Sequence, residues 1–338
     1  MVMSSLSSLS LALLMIIFSN FRIMRKVFSF LAAVATLFVV MGCEKSIEQP
    51  VVEPEYQEVT MSVGIASSEM VKALGNGALA DRLDMAVYHK GQYISSIQLP
   101  SVGKEGLNAT VIGTPGKWRV TLTLAKNVKY DIVFWAHAEG APYKFNKAEH
   151  QIVVDYDGLA NDEVRDAFYE RVEGYVVTDT PVDVELRRPF AQINIGASDY
   201  DPYITDFGFK MTSAITCKAP SVLDVLDGSV SEEVDVKFDL APIPYESGNQ
   251  VLTKVGGVTY HWMSMNYILA AQSNTNIYGD IKATFHYNDS DLEVSIPSVP
   301  YRRNYRTNIL GTLFTGPAKF DVEVVPGFAG DIMHDINY

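Results

Sequence analysis

The chain has 338 residues, with 27 Lys+Arg against 40 Asp+Glu for a net charge of −13, and only two cysteines. That acidity excludes a nucleic-acid binder or a protein held to anionic lipid by charge, both of which need basic patches. The length suits two domains of ordinary size, held together by core burial to which aromatic residues contribute 11% of the sequence.

The first segment, residues 1–42, reads as a leader. Residues 1–23 are apolar but broken by Ser19, Asn20 and Arg22, which fits a true start at Met24. From Met24 the chain has Arg25 and Lys26, an apolar stretch from Val27 to Met41, and then Gly42-Cys43. A basic start, a short apolar middle and a small residue before the cut describe a signal peptide. The stretch is too short for a comfortable membrane span of about 20 residues. Val40-Met41-Gly42-Cys43 resembles a bacterial lipobox, which makes Cys43 the expected lipidation site, carrying palmitate-type acyl chains. More than one chain gives stable anchoring. Residues 43–56, rich in Glu and Pro, read as a tether.

Alternation then begins. Val59, Met61, Val63 and Ile65 alternate with polar or small residues, as in a half-buried strand. The same period recurs in RVTLTL (119–124), VDVELR (182–187), VDVKFDL (234–240) and KFDVEV (319–324). Less regular strands are expected in LDMAVYHKGQYISSIQL (83–99), with a hairpin turn near Gly91, and in KYDIVFWAHA, AQINIGA and NYILAA. The spacing of Val164, Phe168 and Val172 predicts one short helix over 163–174, capped by Asp162. Many short strands between Gly, Pro and Asn turns predict an all-β protein built of β-sandwiches. A boundary near 180 divides it into an N-terminal sandwich, 57–180, and a C-terminal one, 181–338.

Nothing in the chain points to an enzyme. It lacks G-x-S-x-G, H-E-x-x-H, a Walker loop, a dinucleotide-binding glycine motif and paired C-x-x-C. The loop DYDGLANDE (155–163) is rich in oxygen ligands. An EF-hand needs an oxygen at its fifth position and Gly at its sixth, but here Leu159 is fifth and Gly158 comes too early. It reads as a polar capping loop, so no metal and no cofactor are expected. Cys217 reads as a small core residue. Trp118, Trp135 and Trp262 sit in or beside apolar strands, where core packing is the default over a sugar-stacking platform.

Four stretches taken together, DIVFWAHAEGAPY (131–143), ANDEVRDAFY (160–169), VELRRPFAQINIGASDYD (184–201) and YRRNYRTNILGTLFTGPAKFDVEVVPGF (301–328), resemble the fimbrillin-like lipoproteins of Bacteroides-type bacteria, the type V pilin superfamily. HWMSMNYILAA (261–271) fits as well. The resemblance implies two tandem transthyretin-like β-sandwich domains in an outer-membrane, surface or fimbrial lipoprotein. In polymerising members a protease cuts after a basic residue in the loop following the first strand, and that strand leaves. A terminal strand of the next subunit then fills the groove, an instance of β-augmentation. Carried onto this chain, the groove-filling strand is 57–65, with Val59, Met61, Val63 and Ile65. The donor strand is 318–326, with Phe320, Val322 and Val324. The processing loop is 66–81, whose only basic residue is Lys72; the nearest arginine is Arg82, so these two are the candidate cleavage positions. The implied partners are other fimbrial subunits or further copies of the chain, and the membrane through the lipid. An anchored or accessory form stands beside the polymerising one. The alternative is a non-polymerising surface lipoprotein that binds a host glycan or protein.

Overall fold

The structure, a computed structural model, describes residues 55–66, 75–94, 108–111, 116–200, 211–246, 249–287 and 289–326. Cys43, the tether up to residue 54, and Lys72 lie outside them. The described chain is strand almost throughout. The first strands are β1 (Tyr56–Ile65), β2 (Arg82–His89), β3 (Gln92–Tyr93), β4 (Asn108–Val111), β5 (Lys117–Ala125) and β6 (Lys129–His137). Then come β7 (Tyr143–Asn146), β8 (Gln151–Val154), β9 (Phe168–Val176), β10 (Val182–Leu186), β11 (Phe190–Ala197), β12 (Thr212–Asp224) and β13 (Val230–Lys237). The short β14 (Ala241–Pro242), β15 (Tyr245–Glu246), β16 (Asn249–Gln250) and β17 (Leu252–Val255) precede the long β18 (Val258–Leu269). The chain continues through β19 (Ile277–Tyr287), β20 (Ser290–Tyr301), β21 (Tyr305–Thr312) and β22 (Lys319–Pro326).

Four principal sheets result. Their orders are β10-β1-β5-β4, β3-β2-β6-β9, β17-β18-β11-β21-β22 and β20-β19-β12-β8-β7, with β13 and β14 also on β12. The residues expected at the β2 hairpin form it: Lys90 and Gly91, both with positive φ, make the two-residue connection to β3, the twist that tight hairpins require.

The second sheet is buried on both faces. Met85, Val87, Ile132 and Phe134 point into the smaller core, with the β1 and β5 side chains. Their neighbours Ala86, Tyr88, Val133 and Trp135 point the other way, into the larger core built mainly by the third and fourth sheets. This explains the unbroken apolar run from Ile132 to Ala136, since a strand with no wet face has no reason to alternate.

Two pairings cross residue 181. β10 lies in parallel beside β1, with Met61 opposite Val182 and Ile65 opposite Leu186. Upstream of that residue, β8 pairs with β12, Val153 opposite Val222. Pro54–Tyr338 accordingly form one compact unit. The helix expected over 163–174 is corrected. A single 3-10 turn covers Glu163–Arg165, and Asp162 does cap it by accepting from Val164 N, but Phe168–Val176 is strand. The four-residue spacing imitated a helix. The open edge of β6 and core positions for Phe168 and Tyr169 outweigh so short a helix.

Because one sheet serves both cores, the described chain should unfold as one unit. Phe134→Ala and Trp135→Ala, on opposite faces of β6, should each cost about 3–5 kcal/mol. Both should lower a single calorimetric transition; two separately shifting transitions would contradict the shared sheet.

Candidate functional site

The first strand is an interior strand. On one side it pairs antiparallel with β5 from Tyr56↔Ala125 to Gly64↔Lys117, and on the other it pairs in parallel with β10. Its alternation is realised: Val59, Met61, Val63 and Ile65 are buried in the smaller core, while Glu58, Thr60 and Ser62 are exposed. At about 1.5–3 kcal/mol for each buried side chain, the four together contribute roughly 6–12 kcal/mol. Withdrawal of β1 would leave a slot with a hydrogen-bonding rim on either side.

The far end of the strand is tightly fitted. Ile65 N donates to Gly116 O at 2.9 Å and Ala66 N to Leu186 O at 3.1 Å. Gly116, at φ +77°, lies so close that a Cβ there would come within 2.8 Å of Ile65 Cδ1. On the other side a Cβ at Gly77, φ +69°, would meet Phe168 at 2.9 Å and Ile65 at 3.3 Å. Only glycine tolerates both the backbone and the contact.

In its second half the loop is caught by three side chains, Glu163, Asp166 and Arg188. Arg188 and Asp166 form a bidentate ion pair, Nε to Oδ1 at 2.6 Å and Nη2 to Oδ2 at 2.8 Å, with side chains 0% and 2% exposed. Arg188 Nη2 also donates to Gly75 O at 2.6 Å, and its guanidinium lies 4.4 Å from the centre of the Phe168 ring. Asp166 Oδ2 accepts from Gly77 N at 3.1 Å, and Glu163 Oε2 accepts from Gly75 N at 2.8 Å. A buried ion pair is sustained by such additional hydrogen bonds, and removing one partner typically costs about 3–5 kcal/mol. Sequence reasoning passed over these residues, although Arg188, set between Leu186 and Phe190, is a charge in a buried stretch and so demands a partner.

Of the candidate cleavage residues, Arg82 is described. It opens β2 opposite His137, and its exposed guanidinium pairs with Glu139. The expected donor strand is β22, the edge of its sheet, antiparallel to β21. Phe320 packs on the larger core, Val324 is half-buried and Val322 is 38% exposed. Lys319, Asp321 and Glu323 on the same strand place charges along an edge that would otherwise invite pairing. β22 runs so close to β21 that a Cβ at Gly311 would overlap the Lys319 carbonyl.

The remaining candidates are structural. Trp118, Trp135 and Trp262 are all buried. The 155–163 loop is tied to itself and to its neighbours: Asp155, exposed, accepts from Asp157 N, and Asn161 bonds Ser213, Pro242 and Met265. Burial pushes the Cys217 thiol up to about 12, which keeps it protonated. Among the described residues no cluster of three or more His, Cys, Asp or Glu is arranged to hold a metal. A cleft of about 410 Å³ opens at one end of the larger core, with Tyr200, Phe285, Tyr287, Leu292 and Phe314 in its lining.

A family model described as a family of unknown function, DUF6562, matches residues 52–337. No curated protein matches. Among solved structures, the chain is similar to a candidate cell adhesion protein from Bacteroides ovatus, at 11% identity and TM-score 0.48, over 82% of this chain and 100% of that one. It is also similar to a fimbrial assembly protein from Parabacteroides distasonis, at 11% identity and TM-score 0.42, over 81% and 99%. A third is the C-terminally truncated tip fimbrial protein Mfa3 from Porphyromonas gingivalis, at 10% identity and TM-score 0.41, over 80% and 100%.

The clamp around Gly75 also has a pH signature. Burial, followed by the neighbouring Asp166 charge, pushes the Glu163 carboxyl up to about 7, against the opposing pull of the Gly75 N–H, Arg188 and Arg306. The folded protein therefore keeps a proton that the unfolded chain releases near the ordinary carboxyl value. Glu163's contribution is complete below about 4.5 and is lost as pH rises to about 7, up to roughly 3 kcal/mol in all. Glu163→Gln, which keeps an acceptor for Gly75 N, should flatten the decline in stability between those pH values. Urea titrations of both forms at pH 5 and pH 8 would show it; an unchanged pH slope would remove Glu163 as its source.

Proposed function

The chain belongs to DUF6562, a family of unknown function, and from that premise we propose that it is a non-catalytic fimbrial component of the outer membrane. In this reading Cys43 carries the lipid that tethers the chain at the cell surface. A cut after Lys72 in the 66–81 loop, or after Arg82 just beyond it, frees β1, and a strand from another subunit or copy takes its place.

One observation carries the reading: β1 is an interior strand that is also the first strand of the described chain. Its side chains Val59, Met61, Val63 and Ile65 fill the smaller core, and β5 and β10 hold it through main-chain hydrogen bonds. A strand so placed can be exchanged for another of like pattern with no new chemistry. In β22, Phe320, Val322 and Val324 supply the same alternation on an edge strand bound on one side only. Before cleavage, an occupied slot keeps its two rims from pairing with other chains. An anchored form that keeps Cys43 would use the same fold as a base or accessory subunit.

A second reading has its own observation. Tyr200, Phe285, Tyr287, Leu292 and Phe314 make the cleft apolar and aromatic, a lining suited to stacking against a sugar ring or an apolar side chain. This, not the buried tryptophans, is where a non-polymerising surface lipoprotein would bind a host glycan or protein.

The test is the intact mass and N-terminal sequence of the protein from the native cell envelope. An acylated start at Cys43 means an anchored protein, and a start at Ala73 or Leu83 means a processed subunit. For the processed form, removal of residues 318–338 should abolish fibre formation while leaving the rest of the chain folded; fibres of normal length from that truncation would refute β22 as donor. Loss of glycan-array binding in Phe314→Ala would favour the second reading.

A further inference from the structure

We infer that Glu163, Asp166 and Arg188 form a clamp that closes the Arg82–Leu83 bond to proteolysis. The inference rests on the processing reading above and bears on one of its two candidate positions, Arg82.

A protease binds its substrate as an extended segment. The bonds on either side of the cut must therefore be released from the fold, and cleavage follows the population of the locally opened state. At Gly75 both main-chain groups are taken, N–H by Glu163 and C=O by Arg188. Gly77 N is taken by Asp166, and Gly77 O accepts from Ala80 N at 3.1 Å. Gly77 is packed between Phe168 and Ile65, and Ala80 is fully buried in the smaller core. Asp81 then accepts from Glu139 N at 3.0 Å, and Arg82 enters β2 against β6. From Gly75 to Arg82 the chain is fastened every second or third residue. Presenting the Arg82–Leu83 bond would mean opening the ion pair, the Ala80 site and the start of β2 together.

The same three residues protect what remains after a cut. Arg188 lies two residues beyond the end of β10, and Asp166 two residues before the start of β9. Tyr169 and Arg187 exchange main-chain hydrogen bonds of 2.9 and 3.2 Å beside them. When β1 goes, β10 loses its parallel partner. The clamp then holds that rim through Arg188 and keeps the new front end, from Gly75 on, beside it. The slot stays open and shaped for the next strand.

The experiment uses the full mature chain with Cys43→Ser, treated with an arginine-specific endoprotease in buffer and, as reference, unfolded in urea. The rate of appearance of the product starting at Leu83 is read by mass. In the folded chain it should form at least about tenfold more slowly than in urea. Asp166→Asn, which keeps the shape but removes the charge, should speed the Leu83 product of the folded chain by about tenfold or more and leave cutting after Arg119, within β5, unchanged. An Arg82 cut in the folded chain as fast as in urea, or no acceleration by Asp166→Asn, would overturn the clamp. Should Asp166→Asn fail to fold, amide hydrogen exchange of the unaltered chain decides. Gly75 and Gly77 protected to the level of β2 support the clamp, and exchange at the rate of an open loop refutes it. If the native protein starts at Cys43, the processing reading fails while these rates still measure the clamp.

Discussion

The ion pair between Arg188 and Asp166 joins parts of the chain that are far apart in sequence. It binds the second half of the first loop, the turn before β9 and the residues after β10 at one buried point. In so dry a place neither charge could persist alone, because desolvation would cost several kcal/mol for each. The bidentate geometry, the Gly75 carbonyl, the Gly77 amide and the Phe168 ring together satisfy both groups. The consequence is structural specificity. The pieces must come together in one arrangement, and a shifted β10 or a displaced Gly75 would leave a buried charge exposed to an apolar wall. Two glycines at positive φ follow from the same closeness, since side chains there would hold Ile65 and Phe168 away.

Around that point the molecule is layered. Its second sheet lends one face to each core, so that the smaller core, which holds β1, is supported from behind by the larger one. The slot walls belong to strands that have other commitments: β5 also pairs with β4, and β10 is held at its end by Arg188.

Much of this was legible in the sequence, and the reasons for the rest are physical. β1, β5, β10 and β22 alternate cleanly in their residues because each has, or is next to, a wet face. The burial of Val59, Met61, Val63 and Ile65 followed directly from that period. β6 was harder, because a strand covered on both sides carries no period at all, and in β11 the alternating Gln192 and Asn194 mark a polar face that is buried as well. The helix over 163–174 was misread because a spacing of four is even, so Phe168 and Val172 share one face of a strand as readily as of a helix, and the pairing with β6 that decides between them cannot be seen from local sequence. Pairings such as β1 with β10 and β8 with β12 join residues more than 60 positions apart, a relation no local pattern encodes. The clamp combined both difficulties. Its residue types were visible, but the partners of Arg188 lie 22 and 113 positions away.

The two walls of the slot run in opposite directions: β1 is antiparallel to β5 and parallel to β10. The hydrogen-bond spacing of a parallel ladder differs from that of an antiparallel one, so the slot distinguishes the two ends of whatever strand lies in it. A reversed strand would mismatch both walls at once and would bring a side chain to the narrow end where Gly116 and Gly77 enclose Ile65. The site thus carries a vector as well as a shape. Any assembly built through it would be polar, with every subunit facing the same way along the row, and it would grow at one chemically distinct end.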